Sequence, residues 1–236
     1  MFELHVCSGR GLKESMKMFL DAYEGLPFYQ GYPGIYHSGA IVLDKRGRLI
    51  NGTYFSRYAL EEIVDGVLFA GHQCCTIFCA FDYWLVLGDD VSYLMTVLAQ
   101  NDIQMVLHAC TRDQLLSSDI SQIIIYDYFN VVNMLGVIDN VMFRLRRDLR
   151  GGTQLTPMGV SPVGGICKLL MYYGVSPNMC AYVGHACEIM DRALMVDGGG
   201  VNRLNKAGIA AVGEARRAVV KTKGAISDEM TPAYNR

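Results

Sequence analysis

Asp89 and Asp90 stand side by side, after the apolar run Leu85-Val86-Leu87-Gly88 and before Val91. Adjacent carboxylates can hold a divalent cation for phosphoryl transfer. They also suit the point where a strand ends and a helix begins, because an Asp side chain accepts from the first free N–H groups of a helix. The pattern is short, and capping of a following helix is the reading adopted; no metal is expected here. His72, Cys74, Cys75 and Cys79 form a second dense group. Zinc favours such side chains, in pairs separated by about two to four residues. No second pair has matching spacing, and Cys180, His185 and Cys187 would complete a site only through folding. Thiols inside apolar runs such as Cys74-Cys75-Thr76-Ile77-Phe78-Cys79 are expected to be buried as small hydrophobes.

A nucleophilic cysteine needs a histidine base and a group that orients it. The histidines are His5, His37, His72, His108 and His185. None lies in a recognisable nucleophile motif with a cysteine, and His185 shares a helical face with Glu188 and Asp191, which suggests an ion pair. No catalytic residue is therefore assigned. Asp197-Gly198-Gly199-Gly200 precedes a helical pattern with Arg203 and Lys206. Helix starts flanked by cations hold phosphate, but the spacing is not that of a P-loop, and a hinge is expected. The remaining cations are the candidate interaction residues: Arg144, Arg146, Arg147, Arg150, Arg203, Lys206, Arg216, Arg217, Lys221 and Lys223. They would meet an acidic neighbour, or nucleic acid through its phosphates. Few aromatic residues interleave with them, so base stacking is not suggested. A solvated helical face is the simpler alternative.

The elements that would carry these residues alternate at first. Phe2, Leu4 and Val6 alternate with polar neighbours, as in a short strand. Leu12, Met16, Phe19, Leu20 and Tyr23 recur at helical spacing over 11–24. An aromatic, Gly/Pro-rich loop covers 25–38. Ala40–Leu43 and Leu49-Ile50 read as a hairpin, with Gly47 supplying the positive φ. Ser56 caps a helix that buries Leu60, Ile63, Val64, Val67 and Leu68. Strands follow at 74–81 and 83–88, then a helix through Leu98. Beyond this the pattern is mainly helical. Ile124, Tyr128, Val131, Leu135, Ile138, Met142 and Leu145 are spaced alternately by four and three residues, which predicts one long central helix. Helices are expected at about 163–173 and 177–195, and a small-residue helix at about 201–221.

The order helix, hairpin, helix, two strands, helix over about residues 10–100 resembles small sandwich domains of the roadblock or longin kind. The resemblance implies a dimerisation or adaptor platform.

Composition bounds the rest. The 236 residues are 51% apolar and 19% charged, against about 25% charged in average proteins. Mean hydropathy is +0.20. Long disorder is excluded, because disorder needs few apolar residues and many charges. The apolar windows at 83–99 and 123–143 are interrupted by Asp and Asn, so no membrane span is expected. The start lacks a secretory signal pattern. The eight cysteines are then expected to be free thiols in the cytoplasm or another intracellular reducing compartment, with a virion as the alternative location. The net charge of −2 hides a division. Residues 1–143 hold 8 Lys/Arg and 16 Asp/Glu, a net −8; residues 144–236 hold 13 and 7, a net +6.

These observations predict an α+β fold: an N-terminal mixed sheet with flanking helices over 1–100, a mainly helical C-terminal part over 101–221 packed on it, and a polar tail at 222–236. The excess of apolar over charged residues predicts surface buried against other subunits. The expected function is a non-catalytic structural or adaptor subunit of a larger assembly, without cofactor or metal. Its partners would be other protein subunits, or nucleic acid through the basic part. A small enzyme with a Cys/His or carboxylate centre is the alternative, and a nucleic-acid-binding module the second.

Overall fold

Ile35, Tyr36, Ile41, Val42 and Leu43 are β-branched or bulky, and all are buried. They form the centre of a four-stranded sheet in a computed structural model that describes residues 6–22, 30–81, 83–101, 103, 105–126, 143–147 and 152–176. Its strands are β1 (Val6–Cys7), β2 (Gly34–Tyr36), β3 (Ile41–Leu43) and β4 (Leu49–Gly52), in that spatial order. β1 and β2 run parallel, and the other pairs antiparallel. A parallel pair requires a crossover, and helix α1 (Leu12–Ala22) lies in that connection. The β3–β4 hairpin turns at Gly47, with φ of 74° as its turn demands. Asp44 supports the turn, accepting from the Arg46 and Arg48 backbone N–H groups at 2.8 Å each.

A six-stranded sheet follows, in the order β7-β6-β5-β8-β10-β9. Helix α2 (Arg57–Phe69) leads into it, capped by Ser56, which accepts from the Ala59 N–H. It buries Leu60, Ile63, Val64 and Val67 as the periodicity predicts, while Leu68 is 40% exposed. The other elements are β5 (Thr76–Cys79), β6 (Trp84–Leu87), α3 (Ser92–Gln100), β7 (Leu107–Cys110), α4 (Arg112–Leu116), β8 (Gln122–Ile125), β9 (Phe143–Arg147) and β10 (Thr153–Pro157). β6 and β7 are parallel, joined through α3. Thr111 and Gln114 form a capping box at the start of α4.

This sheet corrects the predicted central helix. Ile124 lies in β8 and Leu145 in β9; the seam positions between them fall outside the described residues. Ile123, Ile124 and Ile125 are all buried. A strand covered on both faces reads as a continuous apolar run, without alternation. Three consecutive β-branched residues favour that state over a helix. Arg144 and Leu145 likewise pair with Thr156 and Leu155 as strand neighbours.

The last described helix is α5 (Pro162–Tyr173), within a residue of the expected 163–173. Ser161 caps it, Pro162 occupies its first turn, and Gly174 ends it at φ of 64°. Leu169 packs with Ile35 and Val42 of the four-stranded sheet. The chain divides into two compact units, Met1–Gly174 and Val175–Arg236. The elements above belong to the first. The expected helices after Pro177 and the tail at 222–236 lie outside the described residues. The class is thus mixed α and β, with sheets and helices. Among the described residues no helix is long and apolar enough to cross a membrane. Six described cysteines, Cys7, Cys74, Cys75, Cys79, Cys110 and Cys167, are free thiols.

Candidate anion-binding site

In open sheets with parallel strands, ligands bind beyond the carboxyl ends of those strands. β1 and β2 are the parallel pair of the four-stranded sheet, and both end at polar, glycine-containing loops. After β1 comes Ser8-Gly9-Arg10-Gly11, which runs straight into α1. After β2 comes His37-Ser38-Gly39. The backbone stitches the two loops together: Ser8 N–H donates to Ile35 O at 2.9 Å, Ser38 N–H to Ser8 O at 3.1 Å, and His37 N–H to Arg10 O at 3.1 Å. The Ser8 hydroxyl accepts from the Arg10 N–H at 3.1 Å, folding the loop back on itself.

The first loop is open to solvent at Gly9, while Ser8 and Arg10 are half-buried. Arg10 Nε lies 3.3 Å from the buried Glu14 carboxylate. The six-stranded sheet also reaches this loop. The side-chain amides of Gln122 and Gln154 donate to Gly9 O at 2.9 and 3.2 Å, using both lone pairs of one carbonyl. Gln154 stands opposite Ile124, two residues along from Gln122, so strand alternation puts both amides on one face.

The second loop is strained. His37 and Ser38 adopt φ of 47° and 57°, a region that side chains rarely occupy. The His37 ring is 1% exposed. Its Nδ1 lies 2.6 Å from Ser121 Oγ, which also lies 3.3 Å from Cys79 O. Its Nε2 has no hydrogen-bond partner. Burial pushes the imidazole down to about 4, so the ring is neutral at pH 7. Gly11 makes room for it, since a Cβ there would stand 3.0 Å from Nε2. Gly39 closes the loop at φ of +101°, where a Cβ would stand 2.0 Å from Ser161 O at the start of α5. Gly165 gives α5 the same close approach, as its Cβ would meet Gly39 Cα at 3.0 Å.

The Ser8 hydroxyl and the Arg10 guanidinium thus lie in the loop where β1 meets α1, with the His37 ring packed against Gly11 just before the helix. A helix start flanked by a cation can hold an oxyanion. The sequence reading missed both loops and favoured later groups. Its available signal was a short strand, then Ser-Gly-Arg-Gly, then an amphipathic helix.

The residues singled out from sequence lie elsewhere. Asp89 and Asp90 follow β6, but the residue that caps α3 is Val91; Asp90 Oδ1 accepts instead from the Ser92 N–H at 3.1 Å. That bond, backbone and side-chain contacts with Ser92 together, holds the Asp90 carboxyl below its ordinary value. Cys75 and Cys79 are buried and Cys74 half-buried; Cys75 Sγ donates to His72 O at 3.2 Å. Among the described residues no three His, Cys, Asp or Glu side chains gather as metal ligands. Arg144, Arg146 and Arg147 lie on β9, a strand rather than a helical face, and Arg144 is exposed. Arg150, Arg203, Lys206, Arg216, Arg217, Lys221 and Lys223 fall outside the described residues, as do Cys180, His185, Cys187 and Asp197.

No family model matches the chain, and no curated protein matches it in sequence. Solved structures do match its fold. One is a protein described as a HAD/COF-like hydrolase from Plasmodium vivax, with a TM-score of 0.65 at 19% identity, covering 78% of this chain and 66% of that one. A haloacid dehalogenase-like hydrolase from B. subtilis gives 0.61 at 14% identity, covering 82% and 74%. A HAD subclass IIB sugar phosphatase gives 0.58 at 12% identity, covering 74% and 64%. The chain therefore has a HAD-like mixed α/β fold and spans about two thirds of the length of these proteins.

This likeness corrects the expected non-catalytic shell or adaptor subunit, and with it the keywords of a structural protein: the matched folds are those of hydrolases and phosphatases. The apolar excess behind that expectation has a place inside the chain. Both faces of the six-stranded sheet's inner strands β5, β6 and β8 are buried. The roadblock or longin resemblance fails for a related reason: the hairpin at 41–52 and the strands at 76–87 belong to two different sheets.

Proposed function

We propose that this protein is an enzyme that binds a phosphoryl group at the Ser8–Gly11 loop and hydrolyses small phosphate esters. The observation that carries the reading is the loop itself. It follows the carboxyl end of a parallel strand, opens into an 11-residue helix, and sets a serine hydroxyl beside an arginine in a half-exposed position. Backbone N–H groups at a helix start favour an anion, and a guanidinium matches phosphate geometry. The likeness to proteins named as hydrolases and as a sugar phosphatase supports the same chemistry. Gln122 and Gln154 support a role for the six-stranded sheet, because their amides hold the loop from the other side. In this reading Ser8 and the helix start bind the phosphoryl oxygens, and Arg10 offsets their charge.

The test is release of inorganic phosphate from a panel of sugar and other small phosphate monoesters by the purified chain. Ser8→Ala is the control. Turnover that falls at least about tenfold in that variant supports the reading, since a hydrogen bond to a charged oxygen is worth about 1.5–3 kcal/mol. Binding of phosphate without release from any ester would overturn the hydrolase and leave a phosphate-binding protein.

A further inference from the structure

We propose that Gln122 and Gln154 of the six-stranded sheet are positioning residues for the Ser8 hydroxyl, acting through the Gly9–Arg10 peptide to make that hydroxyl a fixed and strengthened donor to the bound oxyanion. The inference rests on the phosphoryl-binding reading above and assigns the second sheet a task in that site. One peptide group links the two. Its carbonyl, Gly9 O, accepts both side-chain amides, at 2.9 and 3.2 Å. Its N–H, on Arg10, donates to Ser8 Oγ at 3.1 Å. That bond occupies an Oγ lone pair, and among the described residues the Ser8 O–H donates to no acceptor. The hydroxyl proton is thus left for a ligand. The series of bonds runs one way: amide N–H to carbonyl, peptide N–H to hydroxyl, hydroxyl to oxyanion. Hydrogen bonds in such a series polarise one another, and each strengthens the next.

Two features fit positioning better than packing. Gly9 is exposed, and one amide or a water would satisfy its carbonyl. Two buried glutamines converge on it instead, each with rotamer freedom lost and an amide withdrawn from water. The support behind them is also firm. Gln122 opens β8, which pairs with β5 on one side and β10 on the other, and Gln154 lies within β10, between β8 and β9. Both amides therefore come from inner strands rather than loops, the placement that holds a functional group most precisely. Without them Ser8 keeps its bond to the Arg10 N–H, but the peptide plane that orients that bond is no longer held from the second sheet.

The experiment uses the full chain and inorganic phosphate as the probe, with affinity read by NMR titration. Gln122→Leu with Gln154→Leu should weaken phosphate binding about fivefold or more. In a Ser8→Ala background the same pair should change affinity less than about twofold, because the hydroxyl through which the amides act is gone. A merely structural role would cost the same in both backgrounds. The Arg10 amide proton is a second readout. It should move downfield as phosphate saturates the unmodified protein, because an Oγ that donates becomes a better acceptor, and should move less in Gln154→Leu. If the double variant does not fold, or Ser8→Ala does not bind, this second readout decides alone. Equal losses in both backgrounds, no loss in either, or an Arg10 amide that bound phosphate leaves in place overturns this inference and leaves the phosphoryl-binding reading standing. Failure of the unmodified protein to bind phosphate overturns that reading, and this inference with it.

Discussion

Acid should destabilise this fold through His37, by an amount set by its burial. The ring is 1% exposed, and burial holds its pKa near 4, against 6.5 for an unhindered imidazole. Between these values the unfolded chain carries a proton that the folded chain refuses. Stability therefore rises with pH from about 4 to 6.5, is level above that, and stops changing with this group below about 4. With about 1.4 kcal/mol per pKa unit, the loss is roughly 3 kcal/mol across the whole range, most of it by about pH 4.5. Other groups titrate in the same window, so the measurement is a comparison. Urea denaturation of the unmodified protein and of His37→Gln, in phosphate-free buffers from about pH 7.5 to about pH 4.5, isolates the ring, because glutamine does not titrate. The unmodified protein should lose roughly 2–3 kcal/mol more than the variant on acidification. A difference between the two that stays constant across that range would refute the reasoning, and would mean the ring is solvated or gains a partner when protonated.

Gly39→Ala should cost at least about 3 kcal/mol or leave the protein insoluble, because φ of +101° and a Cβ 2.0 Å from Ser161 O both forbid the side chain; a melting temperature equal to that of the unmodified protein would show that α5 does not pack on this loop. Thr111→Ala removes the capping box of α4 and should lower stability by about 1 kcal/mol in urea denaturation. Asp90→Asn should change stability by less than about 0.5 kcal/mol, since Asn accepts from the Ser92 N–H as Asp does; loss of a divalent-metal-dependent activity in that variant would return the Asp pair to the list of catalytic groups.

Some local signals were legible where a residue's role depends on its sequence neighbours. Ser56 caps α2 and Gly47 turns the β3–β4 hairpin, because caps and turns are satisfied within a few residues, whereas the cap expected of Asp89 or Asp90 falls at Val91. The long spacing pattern from Ile124 to Leu145 misled for the opposite reason. Its ends are strands whose partners, Thr76–Cys79 and Thr153–Pro157, lie far from β8 or β9 in sequence or follow an intervening loop. A buried strand looks like a buried helix until its neighbours are known. The site was hidden in the same way. Ser8, His37, Ser121 with Gln122, and Gln154 come from four places along the chain, and no spacing rule relates them. Sequence alone determined a mixed α and β protein, rich in buried apolar surface, with the Ser56 cap and the Gly47 turn in place. Tertiary structure decided that β1 and β2 run parallel, that their loops meet, and that a histidine buried between two sheets keeps one nitrogen without a partner. The physical reason is that hydrogen bonds and burial across the fold, not nearest neighbours, determine what each of these polar groups meets.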